Sequence, residues 1–218
     1  MQILKFGGSS VSSPERIKSL SRLVQQYSKN EKVVVVFSAF GGVTNDLLSV
    51  ATLARERDDS YKELLTSIEK RHLDAVRELL PVDQQSAVLS KVKSFINHLE
   101  TLCEGVFLLS ELSDKTTHVI SGFGEMLSTE IISAYLKLSE KNTLLVDARE
   151  LIVCRNFKEK VQVSYEPSNT KIRQYFNNHN AQIYVVPGFI SKNSEGVPST
   201  LGRGGSDFTA AILGAALN

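Results

Sequence analysis

The feature that most constrains the fold of this chain is a pair of short apolar runs, QILKF at residues 2–6 and KVVVVF at residues 32–37. The second run is apolar at consecutive positions, which is typical of a strand that is buried on both faces. Between the runs, Pro14 follows two serines and apolar residues recur at three- and four-residue intervals, as in a serine-capped amphipathic helix. A strand, a helix and a second strand predict a βαβ unit with parallel strands.

The same alternation continues along the chain. Residues 45–112 are predicted to be helical with a break at Pro81, and residues 125–138 form a further predicted helix. Strands are expected at 143–146 and 182–187, a short helix at 170–178 and an alanine-rich helix at 208–217. The pattern predicts one large α/β domain with a mostly parallel sheet, helices on both faces and ligands at the carboxyl ends of the strands.

Composition restricts the partners and the location of the protein. The 25 Lys and Arg residues balance 24 Asp and Glu residues, so neither nucleic acid nor an anionic membrane is expected as a partner. No apolar run approaches the length of a membrane span, and the first residues lack the core of a signal peptide. Cys103 and Cys154 lack metal-ligand spacing and are expected to be buried free thiols. We therefore expect a cytoplasmic protein.

A glycine-rich turn follows each of the first two predicted strands. In LKFGGSSV, residues 4–11, Lys5 precedes two glycines and a helix start, so a positive charge and several backbone N–H groups could bind phosphate oxygens. The order of these residues differs from the P-loop and from GxGxxG, and a tight turn with a solvated lysine is the alternative. SAFGGVTND, residues 38–46, is a second such turn at the same sheet edge, with an ordinary turn and helix cap as its alternative.

Two further segments carry charged residues beside glycines. SGFGEMLS, residues 121–128, is predicted to hold Glu125 in the first turn of a helix, where a favourable interaction with the helix dipole is the alternative to function. In STLGRGGSDFTAA, residues 199–211, Arg203 lies among three glycines and offers a guanidinium fork that suits a carboxylate. The alternative for this segment is that Ser206 or Asp207 is only the cap of the helix that follows.

Taken in order, KFGGSSV, VVVVFSAFGGVTN, SGFGEMLS, VDAR, VPGFI and TLGRGGSDFTAA resemble the aspartokinases of the amino acid kinase family, from Leu4 to Leu217. The resemblance implies a three-layer αβα sandwich with a mostly parallel central sheet. It implies transfer of the γ-phosphoryl group of ATP, with Mg²⁺, to the side-chain carboxylate of L-aspartate. The product is 4-phospho-L-aspartate, the first step toward lysine, threonine and methionine. A homodimer is also implied by the resemblance alone.

The resemblance assigns roles to three groups of residues. Lys5 would neutralise charge on the transferring phosphoryl group, and Asp207 would orient Lys5 and help to organise the magnesium-bound phosphates. The ATP phosphates would be bound by Lys5, Gly7, Gly8 and Ser9. The aspartate pocket would be formed by Ser38, Thr44, Glu125, Arg203, Gly204 and Ser206. No protein metal site is predicted, and ATP and Mg²⁺ are the expected cofactors.

Family members continue past LGRGGSD into segments that hold the adenine and ribose, and usually into regulatory domains. Residues 1–218 are therefore expected to be the amino-terminal, amino-acid-binding part of the kinase domain of a longer enzyme, one option being a fusion with homoserine dehydrogenase. By themselves, these residues are expected to bind aspartate rather than to complete the catalytic cycle. The alternatives are a kinase for glutamate or acetylglutamate, an amino-acid-binding or dimerisation module without catalysis, and a dinucleotide-binding domain, which the lack of a strand-linked GxGxxG disfavours.

Overall fold

The computed structural model describes residues 1–157 and 160–218, in which strands and helices alternate along most of the chain. The strands are β1 (Gln2–Phe6), β2 (Val33–Phe37), β3 (Thr143–Leu145), β4 (Val153–Phe157), β5 (Lys160–Val163), β6 (Ile183–Pro187), β7 (Ile190–Asn193) and β8 (Pro198–Thr200). The helices are α1 (Pro14–Ser28), α2 (Val43–Arg55), α3 (Ser60–Leu79), α4 (Val82–Leu109), α5 (Asp114–Lys137), α6 (Ala148–Leu151), α7 (Tyr165–Asn178) and α8 (Gly205–Leu217).

The central sheet is parallel and has the strand order β1-β2-β6-β3. β1 and β2 pair so that Phe6 lies opposite Phe37, and Phe37 lies opposite Pro187 of β6. The loops after these three strands therefore begin at the same level of one sheet edge. This is the edge at which parallel α/β sheets bind ligands.

Helices cover both faces of this sheet, because successive residues of its strands point to opposite sides. Val33, Val35 and Phe37 of β2 pack into a core with α1 to α5, whereas Val34 and Val36 pack into a second core with α6, α7 and α8. The fully buried VVVVF run thus contributes to two cores at once. The predicted α/β sandwich of three layers is confirmed.

The boundaries of several helices differ from the sequence prediction. Pro81 separates α3 from α4 as expected, but residues 56–59 add a second break and α4 ends at Leu109. α7 begins five residues earlier than predicted, at Tyr165 instead of Thr170. The sequence also missed a second sheet, β5-β4-β7-β8, because its short strands lack a continuous apolar run.

The prediction that Glu125 lies in the first turn of a helix is wrong. α5 begins at Asp114, where the Ser113 side chain caps the Thr116 N–H, so Glu125 lies in the middle of the helix. The glycines before Glu125 are not a helix start but close packing positions. A Cβ on Gly124 would lie 2.8 Å from the Ala39 Cβ. The alternative of a favourable dipole interaction therefore does not apply to Glu125, because that effect is confined to the first turn.

Candidate active site

The two predicted glycine turns meet at the carboxyl ends of β1 and β2. A Cβ on Gly8 would lie 3.1 Å from the Ala39 carbonyl oxygen and 3.3 Å from the Gly41 Cα. The absence of side chains on Gly8 and Gly41 is thus what permits the two loop backbones to touch. The loop that is predicted to bind phosphate and the loop that is predicted to bind the amino acid form one surface.

A third loop, after β6, brings in the amino-terminal end of α8. A Cβ on Gly188 would lie 2.6 Å from the Ser206 Cβ, so only glycine permits this approach. The next residue, Phe189, has a φ of 68°, a left-handed conformation that is costly for an aromatic residue. Its backbone N–H donates to the Thr209 hydroxyl and its carbonyl accepts from the Leu201 N–H, which hold the backbone in this conformation.

These loops border an open cavity of about 270 Å³, just below the ~300–1,000 Å³ range of ligand pockets. The cavity contains side chains of both charges and a large number of backbone groups. Its lining residues are Lys5, Gly8, Ser38, Ala39, Phe40, Gly41, Gly42, Thr44, Glu125, Phe189, Gly202, Arg203, Gly204, Gly205, Ser206 and Asp207.

An ion pair joins the two ends of the chain at the cavity. The Lys5 Nζ lies 2.7 Å from the Asp207 Oδ1, and the Lys5 side chain is 25% exposed while that of Asp207 is 71% exposed. Gly7 is adjacent, since a Cβ at this position would lie 3.3 Å from the Lys5 Nζ. A pair with this exposure contributes at most about 1 kcal/mol to stability. Its effect is to hold an ammonium group at one position on the cavity wall.

The Arg203 side chain is exposed at the cavity mouth, on a loop with glycines on both sides. Gly202 and Gly204 both have a φ of 75°, which places the loop backbone in the left-handed region that favours glycine. Within residues 1–157 and 160–218, no hydrogen bond or ion pair engages the guanidinium group. Its five N–H donors are therefore available to an anionic ligand.

Glu125 supplies a buried carboxyl group at the cavity. The residue is 3% exposed, and its Oε2 atom has no hydrogen-bond partner. Burial raises the pKa of the Glu125 carboxyl to about 8, although backbone hydrogen bonds at Ala39 and at Glu125 itself lower it. An unpartnered buried carboxyl oxygen is costly unless a cation or a donor joins it. The carboxyl group is therefore suited to a ligand that carries a positive charge.

Two helix amino termini also lie at the cavity. α2 follows Gly42 and α8 follows Gly204, and these two glycines occupy the N-cap positions without side-chain caps. The unpaired N–H groups of a helix start and its positive dipole end favour anions. Ser206 and Asp207 lie within the first turn of α8, so the alternative that either residue is only a cap is wrong.

Most of the residues predicted from the sequence lie together at this cavity, but two lie outside its lining. Gly7 is beside the Lys5 ammonium, and Ser9 is exposed, with its carbonyl accepting a hydrogen bond of 2.7 Å from Arg16. Phe189 and Phe40 also line the cavity, although no role was predicted for them from the sequence. Phe189 follows Gly188 directly after the buried strand β6, and this position could have indicated that Phe189 lines the site.

The parallel α/β fold and a cavity lined by glycine loops, cationic side chains and acidic side chains together characterise a class of proteins. The sequence profile of the amino acid kinase family matches residues 1–218, and the chain belongs to this family. The family resemblance that the sequence motifs predicted is thereby confirmed.

Three proteins that are similar to the chain in sequence or in fold are named as aspartokinases. The chain is 35% identical to aspartokinase 1, chloroplastic, of Arabidopsis thaliana, over 99% of this chain and 38% of that protein. It is 31% identical to bifunctional aspartokinase/homoserine dehydrogenase 1, chloroplastic, of the same plant, over 97% of this chain and 23% of that protein. It superposes on E. coli aspartokinase III in complex with aspartate and ADP with a TM-score of 0.87 at 24% identity, covering 100% of this chain and 47% of that chain.

The chain therefore spans less than half the length of each of these proteins. At 24% identity, the likeness to the bacterial structure concerns the fold. In the part of the chain that the structure describes, no helix is both long and apolar enough to cross a membrane. The same residues contain no group of three or more His, Cys, Asp or Glu arranged to hold a metal ion. Cys103 and Cys154 are buried and free, as predicted.

Proposed function

We propose that this chain forms the amino-acid-binding part of an aspartate kinase, which transfers the γ-phosphoryl group of MgATP to the side-chain carboxylate of L-aspartate. The observation that carries the proposal is the meeting of the Lys5–Asp207 pair, the unpaired Arg203 guanidinium and the unpartnered Glu125 carboxyl group at one cavity. These groups complement the charges of a free amino acid and a nucleotide phosphate.

The amino acid would be recognised at both of its α-substituents. Arg203 would bind the α-carboxylate through two parallel N–H donors, the geometry that guanidinium groups favour with carboxylates. The α-ammonium group would bind the free Oε2 of Glu125 and replace the missing partner of that atom. The side-chain carboxylate would then lie near Ser38 and Thr44, which line the same cavity as Arg203 and Glu125.

The reaction brings two anions together, so the protein must mainly position them and neutralise their charge. A carboxylate oxygen of aspartate attacks the γ-phosphorus, the bond from this phosphorus to the bridging oxygen breaks, and ADP leaves with the electron pair. No proton has to be removed from the carboxylate. Lys5 would stabilise charge on the transferring group, while Gly7, Gly8 and Ser9 would donate backbone hydrogen bonds to the phosphates.

Mg²⁺ is part of the nucleotide substrate in this proposal. The exposed Asp207 carboxylate beside Lys5 can help to organise the magnesium-bound phosphates, in agreement with its 2.7 Å contact to the ammonium group. The homodimer that the family resemblance implies and the cytoplasmic location that was expected from the sequence also belong to the proposal. Sedimentation of the purified chain tests the first, and its location in intact cells tests the second.

Glu125 favours a free amino acid over an acetylated one. An acetylated amine carries no positive charge, and it would leave the buried carboxyl oxygen without an ionic partner. Kinases for acetylglutamate are therefore disfavoured, while glutamate itself is distinguished only by the length of its side chain. A second candidate is amino-acid binding without turnover, since the residues assigned to the amino acid, Ser38, Thr44, Glu125 and Arg203, all line the cavity.

Calorimetry with L-aspartate tests the binding proposal, and a coupled ADP-release assay with MgATP tests turnover. L-Aspartate should bind, while N-acetyl-L-aspartate, N-acetyl-L-glutamate and L-glutamate should bind at least about tenfold more weakly. Binding without ADP release would favour the second candidate. Equal or tighter binding of the acetylated compounds would contradict the role of Glu125.

Arg203→Met should weaken aspartate binding about 100-fold, because a charge-assisted bidentate pair is lost. Arg22→Met is the matched control, since Arg22 is an exposed arginine on α1 away from the cavity lining. Retention of aspartate affinity by Arg203→Met would refute the assignment of the α-carboxylate to Arg203.

A further inference from the structure

Arg71 of α3 connects the two glycine loops from behind. Its Nη1 atom donates to the Gly41 carbonyl at 2.8 Å, and its Nη2 atom donates to the Ser12 carbonyl at 3.1 Å. Gly41 belongs to the loop after β2, and Ser12 belongs to the segment between β1 and α1. One guanidinium group therefore bridges two loops that come from different strands.

The contacts of Arg71 are with backbone carbonyl groups and an aromatic ring. Within the described part of the chain, the guanidinium group forms no ion pair with a carboxylate. Asp74 and Glu78, which line the same cavity as Arg71, pair instead with Arg77 and Lys18. The charge of Arg71 is thus directed entirely to backbone carbonyl groups and to the face of Phe40, whose ring centre lies 5.8 Å from the Arg71 Cζ.

Arg71 lies outside the lining of the candidate active site. It lines a separate cavity of about 240 Å³ together with Ser12, Ser13 and Phe40. Phe40 also lines the candidate active site and is 3% exposed, so the two cavities share this buried residue. His72, the next residue of α3, stacks on the same ring with a centroid distance of 4.8 Å.

The direction of the Arg71 hydrogen bonds has a consequence for the loop backbone. A trans peptide unit holds its C=O and N–H groups on opposite sides. The Gly41 carbonyl points to Arg71, and the N–H of Gly42 in the same peptide unit therefore points away from Arg71. Gly41 and Gly42 both line the candidate active site. By binding the carbonyl oxygen, Arg71 fixes the orientation of this peptide unit, with the oxygen on the side of Arg71 and the N–H group on the other side.

We propose that Arg71 is a positioning residue, which fixes the phosphate-binding loop and the amino-acid-binding loop relative to each other without contacting either substrate. The assignment of ligands to the two loops rests on the proposed function, whereas the coupling of the loops does not. Because Gly8 and Gly41 touch, a change at the bridge is transmitted to both loops. Loss of the bridge reduces the binding of nucleotide and amino acid together.

Arginine suits this role better than lysine for a geometric reason. The planar guanidinium fork donates to two acceptors at once, whereas a lysine ammonium is a single point on a flexible stem. Arg71→Lys should therefore preserve one contact and give an intermediate result. Arg71→Met retains the apolar stem beside Phe40 and removes both hydrogen bonds. Arg77→Met is the matched control, since Arg77 lies on the same helix, with its side chain 55% exposed and paired with Asp74.

The first measurement is amide hydrogen exchange of the 218-residue chain without ligands. Arg71→Met should accelerate amide exchange about tenfold in segments 7–13 and 39–43. The exchange rates of Arg71→Lys should lie between those of Arg71→Met and the parent chain. Those of Arg77→Met should equal those of the parent chain. Exchange in β2 and β6 should stay at the parent level, which separates loop release from global destabilisation. Parent-like protection of both segments in Arg71→Met, or equal acceleration across the whole chain, would overturn the proposal.

The second measurement is calorimetric affinity for L-aspartate and for MgADP. Arg71→Met should weaken both about tenfold, unlike Arg203→Met, which should affect aspartate alone. Loss of only one affinity, or of neither, would contradict the coupling. If the parent chain binds L-aspartate but not MgADP, aspartate affinity and the exchange experiment decide the role of Arg71. If it binds neither ligand, the proposed function fails and the exchange experiment alone decides that role.

Discussion

The Lys5 ammonium group and the Asp207 carboxylate lie 2.7 Å apart, although these residues stand near opposite ends of the sequence. β1 carries Lys5 to the sheet edge, and the first turn of α8 brings Asp207 to the same edge. Because both are partly exposed, the contact stabilises the fold only weakly. Its main consequence is to orient a cation at the cavity that we assign to the reactants.

Removal of the Lys5 ammonium group should lower the rate of phosphoryl transfer more than it lowers the stability of the fold. Lys5→Ala should lower the rate of phosphoryl transfer by about 100-fold or more, because charge on the transferring group loses its stabilisation. Aspartate affinity should stay within about twofold of the parent, since Arg203 and Glu125 are unchanged. ADP release and calorimetry measure the two effects.

Lys18→Ala provides the control for Lys5→Ala. Lys18 forms a comparable ion pair with Glu78 at 3.1 Å, but on the surface between α1 and α3. Lys18→Ala should leave both the rate of phosphoryl transfer and the affinity for aspartate unchanged. An equal loss of rate in the two variants would show that the effect is not specific to the active site.

Aspartate binding should depend on pH through Glu125. Burial raises the pKa of this carboxyl to about 8, so the free protein is mostly protonated there at neutral pH. The substrate ammonium group requires the ionised form, and affinity should therefore fall about tenfold per pH unit below pH 8. Calorimetry in buffers of different ionisation enthalpy should detect proton release on binding at pH 7. Glu125→Gln should abolish this dependence, whereas Glu100→Gln, an exposed change on α4, should retain it.

The same group should make the ligand-free protein less stable as pH rises. The folded pKa of about 8 lies above the ordinary value of 4.5, so the folded state binds the proton more tightly than the unfolded state. The contribution is fully present below pH 4.5 and is lost as pH rises through 8. Urea unfolding of the parent and of Glu125→Gln between these limits measures the difference. Identical pH dependence in the two proteins would contradict the raised pKa.

His72 should confer the opposite pH dependence. It is fully buried, its Nδ1–H donates to the Ile68 carbonyl at 2.7 Å, and its Nε2 atom has no partner. Burial lowers the pKa of His72 from 6.5 to about 4, so the stability contribution is present above pH 6.5 and is lost as pH falls through 4. His72→Phe should reduce acid sensitivity in this range, as measured by urea unfolding at several pH values.

His179→Phe is the matched control for His72→Phe. His179 also has its Nδ1 2.8 Å from the carbonyl four residues before it, and it stacks on Tyr175, but it is exposed. His179→Phe should leave the loss of folding stability at acidic pH unchanged. A similar effect from both substitutions would indicate a general consequence of losing a histidine.

Helical glycines should respond in opposite ways to alanine. Gly124→Ala should destabilise the fold by about 1–3 kcal/mol, because the new Cβ would meet the Ala39 Cβ at 2.8 Å. Gly105→Ala on α4 should stabilise it by about 0.5–1 kcal/mol, since nothing lies within 4 Å of the new Cβ and alanine favours helix. Thermal unfolding of the two variants measures this contrast. A gain of stability in Gly124→Ala would refute the close contact.

Local sequence patterns predicted the elements that contain strong periodic or apolar signals. β2 was recognisable because VVVVF is buried on both faces, and α1 because Ser13 and Pro14 mark its start. The second sheet and the start of α5 were not recognisable in this way. The strands of that sheet are short, and Gly122 and Gly124 resembled a turn although they lie within a helix.

The sequence by itself determined the βαβ order, the glycine turns after the first two strands and the types of charged residues available for a ligand, because these follow from local periodicity and turn chemistry. Only the tertiary structure decided that Lys5, Glu125 and Arg203 share a cavity, that Glu125 is buried with a free oxygen, and that Arg71 bridges two loops. Distances between residues far apart in sequence, and the burial that shifts a pKa, depend on how parallel strands and helices pack. Local sequence does not encode that packing directly.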